Sequence, residues 1–152
     1  MIEAVIASAL QACPLPEDRF VSRGEQARAY AERSVAIVNA AKAMEREKIE
    51  EWVRDDADFS VLIGHLRNLT GSGYSGAINF VPWLFTDRYV YTLSYDHAPA
   101  EPCGEHVSEV QFPNQNGEST TVVKFVYDDG MLVSASGTSL NIHSGALQKV
   151  SD

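Results

Sequence analysis

Four histidines, a cluster of aspartates, a glycine-rich run and two cysteines are the groups in this chain that could do chemistry. The histidines are His65, His97, His106 and His143. None stands in HxH, HxxxH or HExxH spacing, so no zinc site and no metal cofactor are expected. Asp55, Asp56 and Asp58 could serve as paired carboxylates for acid/base work or as cation ligands. No further ligand pattern follows them, which favours a solvated cluster at the end of a helix. Acids are electrostatically unfavourable at a helix C-terminus, so a functional use stays open. Gly71-Ser72-Gly73-Tyr74-Ser75-Gly76 precedes an expected helix and could turn backbone N–H groups on a phosphate. It has neither a P-loop lysine nor a GxGxxG pattern, so a loop at a pocket rim is the plainer reading. No G-x-S-x-G nucleophile elbow occurs. Cys103 lies between Pro102 and Gly104, with nothing beside it in sequence that would lower its pKa. It and Cys13 read as free thiols of a reducing, cytoplasmic compartment.

These groups must be positioned by two kinds of element. Residues 1–12 read as a short amphipathic helix stopped by Pro14 and Pro16. The run Leu10-Gln11-Ala12-Cys13 has the look of a lipoprotein cleavage site. Its leader, however, has no Lys or Arg and contains Glu3, which argues against a signal peptide. Ser22 and Glu25 form a candidate capping box. After them, Ala27, Tyr30, Ala31, Ser34, Val35, Ile37, Val38 and Ala41 recur at helical spacing to about Ala43. Glu45 to Val53 is helical again, as a continuation or a bent second helix. Phe59 to Gly64 predicts a short strand, residues 70–76 a loop, and 75–85 a helix strained by Pro82.

The second half predicts strands. Arg88 to Tyr95 alternates, with Tyr89, Tyr91, Leu93 and Tyr95 on one face. That stripe would line a pocket, offering apolar rings with hydroxyl handles, or cover a dimer interface. His106 to Phe112, Ser119 to Tyr127 and Met131 to Thr138 are further strands. Asn116-Gly117 and Asp128-Asp129-Gly130 are the turns between them. Trp52, Phe59, Trp83 and Phe85 read as core or pocket wall.

The bulk numbers fit one domain of 152 residues, 45% apolar, with a formal charge of −9. Residues 61–152 contain only Arg67, Arg88, Lys124 and Lys149 as cations. Nucleic-acid binding needs a cluster of cations, and an anionic membrane surface is disfavoured for the same reason. No apolar run approaches the roughly 20 residues that span a bilayer.

The order of helix, helix, short strand, glycine-containing loop, helix and strand meander resembles the nuclear transport factor 2-like superfamily, which includes SnoaL-like cyclases and ketosteroid isomerases. Three features carry the resemblance over about residues 25–138. One is Ile49-Glu50-Glu51-Trp52-Val53-Arg54-Asp55-Asp56-Ala57-Asp58-Phe59, similar to the family's aromatic and acidic helix end before a strand. Another is Gly76, opening the helix after the glycine-rich run. The third is Phe125-Val126-Tyr127-Asp128-Asp129-Gly130-Met131-Leu132, similar to the last hairpin. The resemblance implies an α+β fold with N-terminal helices packed in the concave face of a strongly curved antiparallel sheet, a cone-shaped barrel with an apolar pocket. It also implies homodimers through the outer face of the sheet. The fold hosts isomerases, dehydratases and non-enzymatic modules, so it names no reaction.

The ketosteroid isomerase mechanism within that superfamily uses a strand aspartate, a helix tyrosine and a second strand acid. The corresponding positions here are about Val61, Ile37 and Val122, all apolar. By resemblance to a scytalone dehydratase-like variant, a pocket histidine would be the acid/base, with His106 the first candidate and His65 the second. The plainer reading of each is an edge or surface histidine. Tyr89, Tyr91 or Tyr95 would assist, and Trp52, Phe59 and Trp83 would help hold a small apolar or aromatic ligand. The expected organisation is one domain over 1–152, with an extension over 1–22, a cone core over 23–138 and a polar tail over 139–152. The expected function is a small-molecule-binding domain of SnoaL-like type, acting without a cofactor if it is an isomerase, cyclase or dehydratase. The alternative is a non-catalytic dimeric module that binds a protein partner.

Overall fold

The structure, a computed structural model, describes residues 23–84, 90–92, 104–115 and 118–141. Several expectations fall outside these residues. They are the N-terminal helix, the Ser22 cap, Cys13, Cys103, His97, His143, Phe85, Tyr89, Tyr95, the Asn116-Gly117 turn and the tail beyond Asn141.

Helix α1 (Arg23–Lys42) follows from the helical spacing of its small and apolar residues. Ala27, Tyr30, Ala31, Ser34, Val35, Ile37, Val38 and Ala41 are all buried. The chain then breaks instead of continuing. Met44 takes a left-handed φ of 55°. The Met44 N–H donates to the carbonyl of Ala41, and the Glu45 N–H to that of Ala40. This paired closure is a Schellman motif, which satisfies carbonyls that the helix end leaves open. Helix α2 (Arg46–Trp52) is short and buries Ile49.

Strand β1 (Val53–Ile63) starts directly after α2. The expected helix-end cluster is thereby corrected: Asp55, Asp56 and Asp58 stand on a strand, exposed, while Ala57 and Phe59 are buried. From Asp56 to Phe59 the strand alternates, sending Asp56 and Asp58 to solvent opposite buried Ala57 and Phe59, and Asp55 is exposed before the register shift; a helix C-terminus would set all three against its negative pole. A tight turn at Gly64 and His65 leads into β2 (Leu66–Ser72), antiparallel to β1. The loop expected over 70–76 is thus the end of this strand and the start of helix α3 (Gly73–Phe80). Pro82 disturbs the helix as expected: α3 tightens into a 3₁₀ turn over Val81–Leu84.

The remaining strands are β3 (Val90–Thr92), β4 (His106–Pro113), β5 (Ser119–Asp128) and β6 (Met131–Asn141). Asp129 and Gly130 have φ of 52° and 75°, the doubly left-handed turn that suits a two-residue hairpin. β6 runs past Thr138 to Asn141, because Ser139, Leu140 and Asn141 keep pairing with Thr121, Thr120 and Ser119.

The six strands are ordered β2-β1-β6-β5-β4-β3. β1 and β6 are parallel and every other pair is antiparallel, so the sheet is mixed, not antiparallel throughout. Irregularities in β1 and β6 pairing, at Phe59/Ser60, Val53/Asp58 and Val126/Tyr127, add the local twist that curls the sheet. The helices cover its inner face, and the core lies between: Tyr30, Ile37, Phe59, Phe80, Phe125, Tyr127 and Leu132 are all buried there. The fold is the expected α+β cone.

Candidate functional site

Two regions are candidates, and they occupy different ends of the sheet. The first is a buried polar cluster between α1 and the β4–β5 pair. Register places His106 opposite Tyr127, and α1 lays Tyr30 across both. The Tyr30 and His106 rings stack with centroids 4.3 Å apart, and Tyr30 and Tyr127 are tilted at 4.7 Å. Ser34 Oγ lies 2.7 Å from Tyr127 Oη and donates to the Tyr30 carbonyl at 2.8 Å. A serine hydroxyl has one proton, so Tyr127 must be the donor to Ser34. Burial pushes the Tyr30 hydroxyl up to about 12, with Arg33 opposing and Asp129 reinforcing the rise. Burial pushes Tyr127 higher still, against its Ser34 hydrogen bond and the Arg33 charge. Both phenols are therefore neutral donors at physiological pH.

The second region is a cleft at the end of the sheet near the β1–β2 turn. It has a volume of about 270 Å³ and is lined by Val61, Leu62, Ile63 and Gly64 of β1 and its turn, Trp83, Thr121 of β5, and Gly137 and Ser139 of β6. Strand pairing explains why these meet. Val61 is in register with Gly137, and Thr121 with Ser139. The 3₁₀ turn after α3 then brings Trp83 over them. Gly137 has no side chain to fill the floor, and Phe80 packs close enough that a Cβ there would lie 3.3 Å from its ring.

Of the expected site residues, His106 falls in the polar cluster and Trp83 in the cleft lining. His106 is buried in the polar cluster, and the stretch from Tyr127 to Thr121 sets it about 20 Å from the cleft. There the Tyr30 ring stacks on it, and Tyr127 is opposite it in strand register. Tyr91 lies on β3 in register with Val110. His65 is exposed in the β1–β2 turn beside Gly64. Trp52 is half-buried against the core, 5.5 Å from the Arg33 guanidinium. Phe59 is core, its ring 5.7 Å from that of Phe80. Trp83 alone of these lines the cleft. Val61, the position resembling a catalytic base, lines it too and offers no proton acceptor. Thr121, Gly137 and Ser139 went unread in the sequence. The one local signal was a glycine inside a strand, which marks a close approach or an opening.

Among the described residues, no three His, Cys, Asp or Glu side chains gather as metal ligands. No helix among them is long and apolar enough to cross a membrane.

No protein-family model matches the chain, and no curated protein matches it. Solved structures do. A proposed ketosteroid isomerase from Kribbella flavida DSM 17836 aligns with a TM-score of 0.46 and 15% identity, over 79% of this chain and 82% of that one. A phenazine biosynthesis-related protein from Pseudomonas aeruginosa gives 0.42 and 11%, over 78% and 83%. An NTF2-like protein of unknown function from Cytophaga hutchinsonii ATCC 33406 gives 0.39 and 8%, over 72% and 98%. In this chain helices lead into a six-stranded mixed sheet, an α+β fold.

Proposed function

We propose that this chain is a binding domain for a small, mostly apolar molecule held in the cleft beside Trp83. The observation that carries this reading is the concavity of about 270 Å³ with Val61, Leu62, Ile63 and Trp83 on its walls. That volume is near the lower end for ligand pockets, roughly 300 Å³, so the ligand is small. The Thr121 and Ser139 hydroxyls, paired across β5 and β6, can orient one polar group. None of the residues named in the lining ionises near neutral pH, which favours retention of a ligand over acid/base turnover.

The experiment uses the two tryptophans. In Trp52→Phe, Trp83 is the sole indole emitter. Titration with Nile red, an uncharged apolar dye, should quench Trp83 emission and saturate at one dye per chain. Trp83→Ala should raise the dissociation constant about tenfold, as loss of an aromatic anchor does. Saturable binding that ignores both Trp83→Ala and a cleft-filling Ser139→Leu, at an exposed residue of the lining, would overturn the reading.

A second reading, a non-catalytic module that binds a protein, is favoured by a separate observation: Leu66 and Leu69 of β2 lie exposed.

A further inference from the structure

Arg46, Arg54 and Lys48 pair with Glu50, Asp56 and Glu45, all at the surface. Arg33 differs. It is half-buried, and among the described residues no carboxylate pairs with it. Its Nη1 is buried and has no hydrogen-bond partner among them. A guanidinium taken partly out of water is costly unless an anion meets it. Strand register explains its surroundings. Val53, Leu132, Tyr127 and His106 form one row across β1, β6, β5 and β4, with Trp52 just before Val53. Helix α1 crosses this row, setting the Arg33 guanidinium 5.5 Å from the Trp52 ring, while its charge acts on the neutral phenols of Tyr30 and Tyr127. Asp129, whose charge also reaches Tyr30, is exposed in the β5–β6 turn and makes no ion pair with Arg33. Gln26, two turns before Arg33 on the same face of α1, is 5% exposed, and its Oε1 is likewise unpartnered. The polar cluster under α1 is thus unsatisfied at a donor and at an acceptor.

We propose that Arg33 anchors a small aromatic monocarboxylate, in a site at the opposite end of β1 from the cleft beside Trp83. The planar guanidinium matches a carboxylate with two parallel N–H···O bonds, and the ligand supplies the countercharge that the chain does not. The half-buried Trp52 indole beside it gives the ligand's ring an apolar surface. Charge selects the class of anion. A chain of formal charge −9 repels anions in proportion to their own charge, so one cation holds a monoanion better than a phosphate dianion.

Fluorescence of the full chain carrying Trp83→Phe, in which Trp52 is the sole indole, tests this. Benzoate should change Trp52 emission and saturate at one per chain, and benzamide, its uncharged counterpart, should not. Adding Arg33→Gln should raise the benzoate dissociation constant tenfold or more, as loss of a hydrogen bond to a charged group does. Arg33→Lys, which keeps the charge without the fork, should recover only part of the affinity. Arg46→Gln, at an exposed cation, should change nothing. Melting temperature is the second readout: benzoate should raise that of the wild type and leave that of folded Arg33→Gln where it was. The proposal is overturned by a wild type without saturable benzoate binding, by benzamide binding as tightly as benzoate, or by benzoate binding that survives Arg33→Gln. Inorganic phosphate binding as tightly as benzoate overturns the carboxylate assignment.

Discussion

The ring of Tyr30 lies on that of His106, 4.3 Å between centroids and 16° between planes, with both residues about 1% exposed. This stack joins α1 to the first residue of β4, and Tyr127 packs on the other strand of the pair. Removing the His106 ring leaves a cavity against Tyr30 that a rigid interior closes only in part. His106→Ala should therefore cost about 2–4 kcal/mol, and His106→Phe, which keeps a ring of similar size, clearly less. Urea unfolding followed by far-ultraviolet dichroism checks this, with the midpoint shifting and the slope constant. Equal losses in both variants would show that the stack contributes nothing of its own.

The Ser34–Tyr127 hydrogen bond is directional, and its two ends should fail differently. Tyr127→Phe removes the donor, while Ser34 still bonds the Tyr30 carbonyl. The expected loss is about 0.5–1.5 kcal/mol. Ser34→Ala leaves the Tyr127 hydroxyl buried without this acceptor, for about 1–3 kcal/mol. The double variant should be less destabilised than the sum of the two. A double-mutant cycle from chemical denaturation gives the coupling, and strict additivity would contradict the bond.

Alkaline pH should unfold the protein through the same tyrosines. Burial holds Tyr30 at about 12 and Tyr127 above that, against 10.0 for a free phenol. The unfolded chain releases these protons first. Stability is therefore intact below pH 10 and falls from there through the folded-state values. Each tyrosine contributes a slope of about 1.4 kcal/mol per pH unit in that window. Tyr127→Phe should flatten the fall between pH 10 and 12 relative to wild type, read as denaturation midpoints against pH.

Much of this arrangement was legible because local pattern and tertiary demand agree. His106 to Phe112 alternates in sequence and in burial, and Asp128-Asp129-Gly130 turns as its residue types require. β2 was not legible. Leu66-Arg67-Asn68-Leu69 has no apolar alternation, because an edge strand exposed on both faces is under no pressure to show one. The aspartates of β1 misled for the opposite reason. Asp is depleted in strands, and its place here depends on solvent beside it and on buried Ala57 and Phe59, which alternate with it. Tyr30 was readable as a core-facing residue. Its contact with His106 joins residues far apart in sequence, which no local period reports.

Met44 gives a prediction of opposite sign. It occupies the left-handed position that closes α1, with φ 55°, and its side chain is largely exposed, so little packing depends on it. A Cβ at such a position is strained by about 1 kcal/mol, and glycine is the residue that helix ends prefer there. Met44→Gly should stabilise by about 0.5–1 kcal/mol after the entropy that glycine adds to the unfolded chain. In a thermal melt that is a rise of roughly 2–4 °C per kcal/mol. A lower midpoint would mean that the Met44 side chain makes contacts of value.

Gly76 and Gly64 separate steric from conformational need. Gly76 opens no turn, yet a Cβ on it would lie 2.5 Å from the Gly71 carbonyl carbon, 2.6 Å from its oxygen and 2.9 Å from a Phe59 ring carbon. The backbone of β2 cannot give way without moving the α3 start, where the Thr70 hydroxyl bridges toward the Phe59 and Gly76 carbonyls. Gly64 has φ +63° and nothing within 4 Å of a built Cβ. Gly64→Ala should therefore cost only the strain of a left-handed alanine, about 1 kcal/mol. Gly76→Ala should cost about 3 kcal/mol through overpacking. Because α3 leads into the turn bearing Trp83, Gly76→Ala should also weaken Nile red binding. Comparable stability in the two variants would mean that β2 and α3 separate easily, and that Trp83 is held by something other than their close approach.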